Sequence, residues 1–124
     1  MAIDKSLVSG STSMLILRLL SEKDMYGYEM IEMLDERSQN VFQLKAGTLY
    51  PLLHTLENQK LLTSYEDMAN GRTRKYYSIT AEGKKHLRVK KSEWQEYSEA
   101  VARVLNLTGM AEEVLDGEIS GLEV

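Results

Sequence analysis

The dipeptide Asn70-Gly71 separates the two stretches of this chain that read with a period of two. Both residues tolerate the positive φ angles that a two-residue hairpin turn demands. Before it, Leu62-Thr63-Ser64-Tyr65-Glu66 predicts a short strand. After it, Lys75-Tyr76-Tyr77-Ser78-Ile79 predicts the return strand, rich in aromatic and β-branched residues. Between them Gly71-Arg72-Thr73-Arg74-Lys75 forms a cationic tip, with Arg72 and Arg74 on an exposed loop. The flanking sequence has helical periodicity, so the chain must pack helices around one isolated hairpin.

Residues 7–21 predict a first helix, with Leu15/Leu19 and Ile16/Leu20 paired at the i, i+4 spacing of one apolar face. Ser9, Ser11, Thr12 and Ser13 offer caps near its start. Asp24 caps a second helix over about 25–37, with Met30, Ile31, Met33 and Leu34 on its buried side. A third begins at Gly47 or Thr48 and runs to about Gln59, burying Leu49, Leu53 and Leu56 with Leu52. With Thr48 as cap, Pro51 falls in the first turn, where a missing N–H costs nothing. After the hairpin, Thr80-Ala81-Glu82 opens a long helix to about Leu107. There Leu87, Trp94 and Val101 recur every seven residues, with Tyr97 and Val104 three after two of them, an a/d-like seam suited to a partner helix. Beyond Thr108-Gly109, residues 110–124 form an acidic tail with a short helix near 111–116. The expected fold is mainly α with a small β-hairpin: a winged helix-turn-helix over 1–80, then a dimerisation helix over 81–109.

A chain of 124 residues holds one modest core. The absence of Cys excludes a disulfide scaffold and Cys-based zinc sites. His54 and His86 are too few and too far apart for a metal site, and neither a phosphate-binding glycine loop nor a nucleophile motif is present. Neither an enzyme nor a cofactor is expected. The start of the chain lacks the apolar core of a signal peptide, and the apolar run Met14–Leu20 is interrupted by Arg18 and too short to span a bilayer. The expected location is the cytoplasm.

Net charge is −4, which by itself argues against nucleic acid. The distribution argues the other way. Residues 1–69 carry six Lys/Arg against ten Asp/Glu, residues 70–91 eight against one (net +7), and residues 92–124 one against eight. Local field governs binding, because exposed charges beyond a Debye length of about 10 Å are screened. The third helix offers Thr48, Tyr50, His54, Thr55 and Asn58 away from its leucines, and short polar groups can reach base edges or phosphates. Tyr50 reads equally as core with its hydroxyl at the rim. Arg72, Arg74 and Lys75 suit phosphates or a narrow minor groove, and Lys45 adds a phosphate contact before the third helix.

The chain resembles the PadR family of bacterial transcriptional regulators. The resemblance is carried by Ile16-Leu17 with Leu20, Tyr26-Gly27-Tyr28-Glu29, Gly47-Thr48-Leu49-Tyr50-Pro51-Leu52-Leu53, Leu56-Glu57, Gly71-Arg72-Thr73-Arg74-Lys75-Tyr76-Tyr77, Ile79-Thr80 and Gly83. These segments stand in the family's order and spacing over about residues 10–87. The resemblance implies a winged-helix homodimer on an operator with two-fold symmetry, a recognition helix holding Thr48, Tyr50 and His54, and a last helix that dimerises. It also implies the compact subgroup with a single C-terminal dimerisation helix. One departure is Lys60-Leu61, where the family has Gly-Leu.

Trp94 admits two readings. It is an anchor of the dimer interface together with Leu87, Tyr97, Val101 and Val104, since large aromatics dominate such contacts. Alternatively it is a platform for a small aromatic effector, as some compact members of the family hold flat drugs between paired tryptophans. The competing function is a winged-helix ligand- or protein-binding module without DNA binding, its site near Trp94.

Overall fold

The computed structural model describes residues 11–107. The expected helix start at 7–10 and the acidic tail over 110–124 lie outside them. The described elements are α1 (Thr12–Leu20), β1 (Met25–Tyr26), α2 (Gly27–Arg37), α3 (Ala46–Asn58), β2 (Leu62–Ala69), β3 (Arg72–Ile79) and α4 (Ala81–Leu105). The fold is a winged helix with a long C-terminal helix, and its sheet has three strands in the order β1-β3-β2. The expected hairpin has gained a third strand, because Met25 and Tyr26 pair antiparallel with Tyr77 and Tyr76. Two residues are too short a stretch to show a period.

The leucine-rich faces pack as their spacing requires. Ile16, Leu17, Leu19 and Leu20 of α1, Met30 and Leu34 of α2, and Leu49, Leu53 and Leu56 of α3 are buried in one cluster with Met25, Leu61, Leu62, Tyr77 and Leu87. Leu15, Ile31, Met33 and Leu52 lie partly buried at its margin. The connection from α2 to α3 is held by the Phe42 N–H donating to Ser38 Oγ at 2.9 Å. Phe42 and Leu44 pack against the core from that connection.

Helix boundaries correct three expectations. Asp24 does not cap α2: Tyr26 occupies that position in extended conformation, and its N–H donates to the Glu29 carboxylate at 3.2 Å. The helix start shifts because Met25 is drawn into the sheet and the core. α3 begins at Ala46 with Lys45 as its cap, two residues before Thr48. Pro51 therefore stands in the second turn and deprives the Gly47 carbonyl of its usual i+4 donor. Lys60 sits at φ +65° where α3 ends. The Leu61 N–H reaches the Leu56 carbonyl at 3.0 Å and the Lys60 N–H that of Glu57 at 2.9 Å, which is a Schellman closure with lysine at the position glycine favours.

At the other end of the wing, Thr80 starts α4. Its hydroxyl accepts from the Gly83 N–H at 2.9 Å and donates to the Lys60 carbonyl at 2.8 Å. A Cβ on Gly83 would collide with the Leu61 carbonyl, so only glycine lets α4 lie this close. Between α1 and α2, Arg37 grips Glu22 with both guanidinium nitrogens. That hydrogen bond, ahead of the other charges nearby, holds the Glu22 carboxyl below its ordinary value.

The described residues divide into two compact units between Arg88 and Val89. The first unit takes in the opening turns of α4, because Gly83 and Leu87 are buried. Leu87 therefore belongs to the domain core rather than to the seam expected on α4. No helix of the described residues is long and apolar enough to cross a membrane.

Candidate nucleic-acid interface

Three buried leucines fix how α3 presents its other residues. At about 100° per residue, the direction opposite Leu49, Leu53 and Leu56 passes through Pro51, Asn58, His54 and Thr55. All four are exposed. His54 thus stands on the crown of the helix, while Thr48 and Tyr50 occupy its two shoulders. Pro51 was not among the expected contacts although it lies on the crown. The periodicity contains that signal, and a rigid apolar ring is as able to meet a thymine methyl as a threonine is.

Tyr50 is half committed to structure. Its hydroxyl and ring edge lie against the Cα of Gly27, where a Cβ would come within 2.7 Å of Tyr50 Cζ. The two motifs Tyr26-Gly27-Tyr28-Glu29 and Leu49-Tyr50-Pro51-Leu52 are thereby parts of one joint between α2 and α3. This side chain remains 46% exposed.

Between Lys45 and Thr55 the helix carries no carboxylate, and Lys45 is exposed at its N-terminus. Unsatisfied N–H groups and the dipole at such an end favour an anion. The one acid of α3, Glu57, accepts a hydrogen bond from the Ser64 hydroxyl at 2.6 Å, which ties α3 to β2. Nearby, burial pushes the Tyr77 phenol above its ordinary pKa.

The wing is longer and more ordered than expected. β2 and β3 pair without interruption from Leu62↔Ile79 to Ala69↔Arg72, and Asn70 and Gly71 close the turn at φ +52° and +75°. Arg72, Arg74 and Lys75 are therefore strand residues, not members of a free loop. The two-residue turn suits the twist of the strands, so the ladder continues to the tip. Alternation puts Thr73, Lys75, Tyr77 and Ile79 on one face and Arg72, Arg74 and Tyr76 on the other.

Pairing also changes the charge reckoning. Lys75 stands opposite Glu66 and Arg74 opposite Asp67, whereas Arg72 stands opposite Ala69. The +7 counted along residues 70–91 omits these two acids, which the hairpin folds back beside the cations. Within the hairpin three cations meet two carboxylates. Arg72 is exposed, and the Lys75 ammonium lies 5.5 Å from the Tyr77 ring centroid. Arg74 lies over the Tyr26 ring with its Cζ 4.3 Å from the centroid. Further cations, Lys84, Lys85 and Arg88, are exposed on the first turns of α4.

Within the second unit, α4 exposes Trp94, Tyr97, Val101 and Val104, with Leu105 beside them. These five fall within about 100° of one helix face. The Trp94 and Tyr97 rings lie 6.1 Å apart at a tilt of 40°.

Comparison with known proteins agrees with this geometry. The model of the transcriptional regulator PadR-like family matches residues 16–89. An uncharacterized protein of Lysinibacillus sphaericus is 38% identical over 100 residues, covering 80% of this chain and 92% of its own length. Among solved structures, a transcriptional regulator of Clostridium thermocellum superposes with TM-score 0.76 at 30% identity, over 82% of this chain and 97% of that one. A PadR family transcriptional regulator of Eggerthella lenta gives TM-score 0.73 at 35% identity, over 82% and 87% respectively. The matched span runs from the core of α1 through α3 and the wing to the start of α4, and on that footing the chain belongs to the PadR-like family of transcriptional regulators.

Proposed function

We propose that this protein is a homodimeric DNA-binding repressor acting in the cytoplasm on an operator with two-fold symmetry. The observation that carries the reading is the carboxylate-free exposed face of α3 from Lys45 to Thr55, tied to the wing through Glu57 and Ser64. In this reading α3 lies in a major groove, with His54, Thr48, Pro51 and Thr55 toward base edges. Lys45, Arg72 and Lys75 meet phosphates. Repression follows from occupancy alone, since a dimer seated on a promoter excludes polymerase. The exposed stripe on α4 supports the dimer: a second copy of the same helix is the partner that an a/d-like seam fits.

Fluorescence anisotropy with the promoter duplex of the gene's own operon tests this reading at two salt concentrations. Phosphate contacts release counterions, so log K should fall linearly with log salt. Arg72→Ala should weaken binding to all sequences, and His54→Ala should change preference among them. Salt-insensitive binding, or no binding to any palindromic site, overturns it. The exposed Trp94–Tyr97 pair supports a second role for the same helix, reception of a flat aromatic effector. Quenching of Trp94 fluorescence by planar aromatics together with a change in DNA affinity would establish that role. Quenching without any DNA affinity would favour a ligand-binding module instead.

A further inference from the structure

The outer face of the sheet carries a cluster that the contact set does not use. Arg74 covers the Tyr26 ring, and its Nε is buried with no hydrogen-bond partner. The Tyr26 edge meets Tyr76 at 5.5 Å and 81°, and Tyr76 stacks on Tyr65 at 5.7 Å and 13°. The Tyr65 hydroxyl donates to Asp24 Oδ2 at 2.6 Å, just before β1. One column, Arg74–Tyr26–Tyr76–Tyr65–Asp24, therefore joins all three strands to the connection between α1 and β1.

Its place in the ladder explains what the column does. β1 pairs with β3 only at Tyr76 and Tyr77. From Lys75 outward the wing is a two-stranded ribbon, and isolated two-stranded ribbons are marginal and free to twist. Arg74 is the first outer-face residue past the last β1 pair, where a brace back to β1 has most leverage. Its Nε edge is sealed, so that edge of the fork is closed to a phosphate. Arg72, two residues nearer the tip, is exposed and faces Ala69 rather than an acid.

We propose that Arg74 is a positioning residue: stacked on Tyr26, it sets the angle of the wing and leaves Arg72 as the outer-face cation that meets phosphate. This rests on the DNA-binding reading above. Anisotropy titrations against a fixed mixed-sequence duplex and the promoter duplex, over a range of salt, separate the two roles. Arg72→Ala should flatten the slope of log K against log salt by about one contact per subunit. Arg74→Met should leave that slope unchanged and weaken promoter binding about three- to tenfold, the size of one cation–π contact. Tyr26→Leu should match Arg74→Met, the double variant should be no weaker than either, and Tyr26→Phe should bind as the wild type does. An Arg74→Met slope as flat as that of Arg72→Ala, or additive losses in the double variant, overturns the proposal. A readout without DNA keeps it falsifiable if Tyr26→Leu does not fold or the wild type does not bind. The Arg74 Nε proton should exchange slowly and show a ring-current shift in the wild type and Tyr26→Phe. A fast-exchanging, unshifted proton refutes the brace even where DNA binding holds, whereas a protected proton with no DNA binding refutes only the DNA-binding reading.

Discussion

α3 and the second half of α4 carry similar apolar spacing and meet opposite ends. On α3, Leu49 and Leu53 are 0% exposed, whereas on α4 Trp94 is 50% and Val104 85% exposed. Periodicity states that a helix has an apolar side but not what covers it. In the first unit α2 and β2 lie against α3, and the shared core supplies the rest of the cover. The stripe on α4 has apolar area left over, and large aromatics in such a stripe fit a partner surface. The winged domain thus completes itself, while the stripe on α4 stays exposed, as the proposed dimer requires.

The largest expected effect tests the self-contained half. Leu53→Ala should cost about 2–5 kcal/mol, because it opens a cavity among fully buried neighbours. Chemical denaturation should show this loss. A loss under about 1 kcal/mol would mean that the core is looser than its burial implies.

Next comes the exposed half. Trp94→Glu should weaken dimerisation by about 2 kcal/mol or more, as for an interface anchor replaced by a charge. Sedimentation equilibrium should then find monomer at concentrations where the wild type is dimeric. An unchanged association would break the contrast between the two helices and remove the stripe from the interface.

Smaller and opposite in sign is Lys60→Gly. The closure of α3 holds this residue at φ +65°, a region that disfavours a side chain. Glycine there should raise stability by about 0.5–1 kcal/mol, read as a higher midpoint in urea. No gain would show that Lys60 is held by contacts beyond its backbone.

The smallest effect is alkaline. Hydrogen-bond donation to Asp24 first, then burial and the nearby negative charges, push the Tyr65 phenol up to about 12 from 10.0. A folded value above the unfolded one means that the contribution is complete below pH 10 and disappears as pH rises through 12. Ultraviolet titration should find one tyrosine ionising last, and Tyr65→Phe should remove that late step. A Tyr65 that ionises with the others would take Asp24 out of the wing's support.

Much of the fold is legible in the sequence because its signals are local. The leucine spacings of α1 and α3, the Asn70-Gly71 turn and Thr80 at the start of α4 each act within a few residues. β1 is not legible, since two residues show no period and Met25-Tyr26 become a strand only because β3 lies beside them. The candidate site divides in the same way. The α3 face follows from helical angle, including Pro51, which the same angle would have found. Tyr50's commitment to Gly27 and Arg74's to Tyr26 join residues distant in sequence, and no spacing rule reaches that far. Charge misleads for the same reason: the +7 block ignores Glu66 and Asp67, which the turn brings across from it.

The sequence by itself determined the order of elements, the apolar faces of the helices, the turn of the wing and the family. Backbone propensity and side-chain period act locally, and a run of residues expresses them wherever it sits. Tertiary structure alone decided which cations stand clear of acids, that Leu87 belongs to the domain rather than to the stripe, and that Arg74 lies on a ring. Those outcomes depend on which distant residues become neighbours, and only the packed chain makes them so.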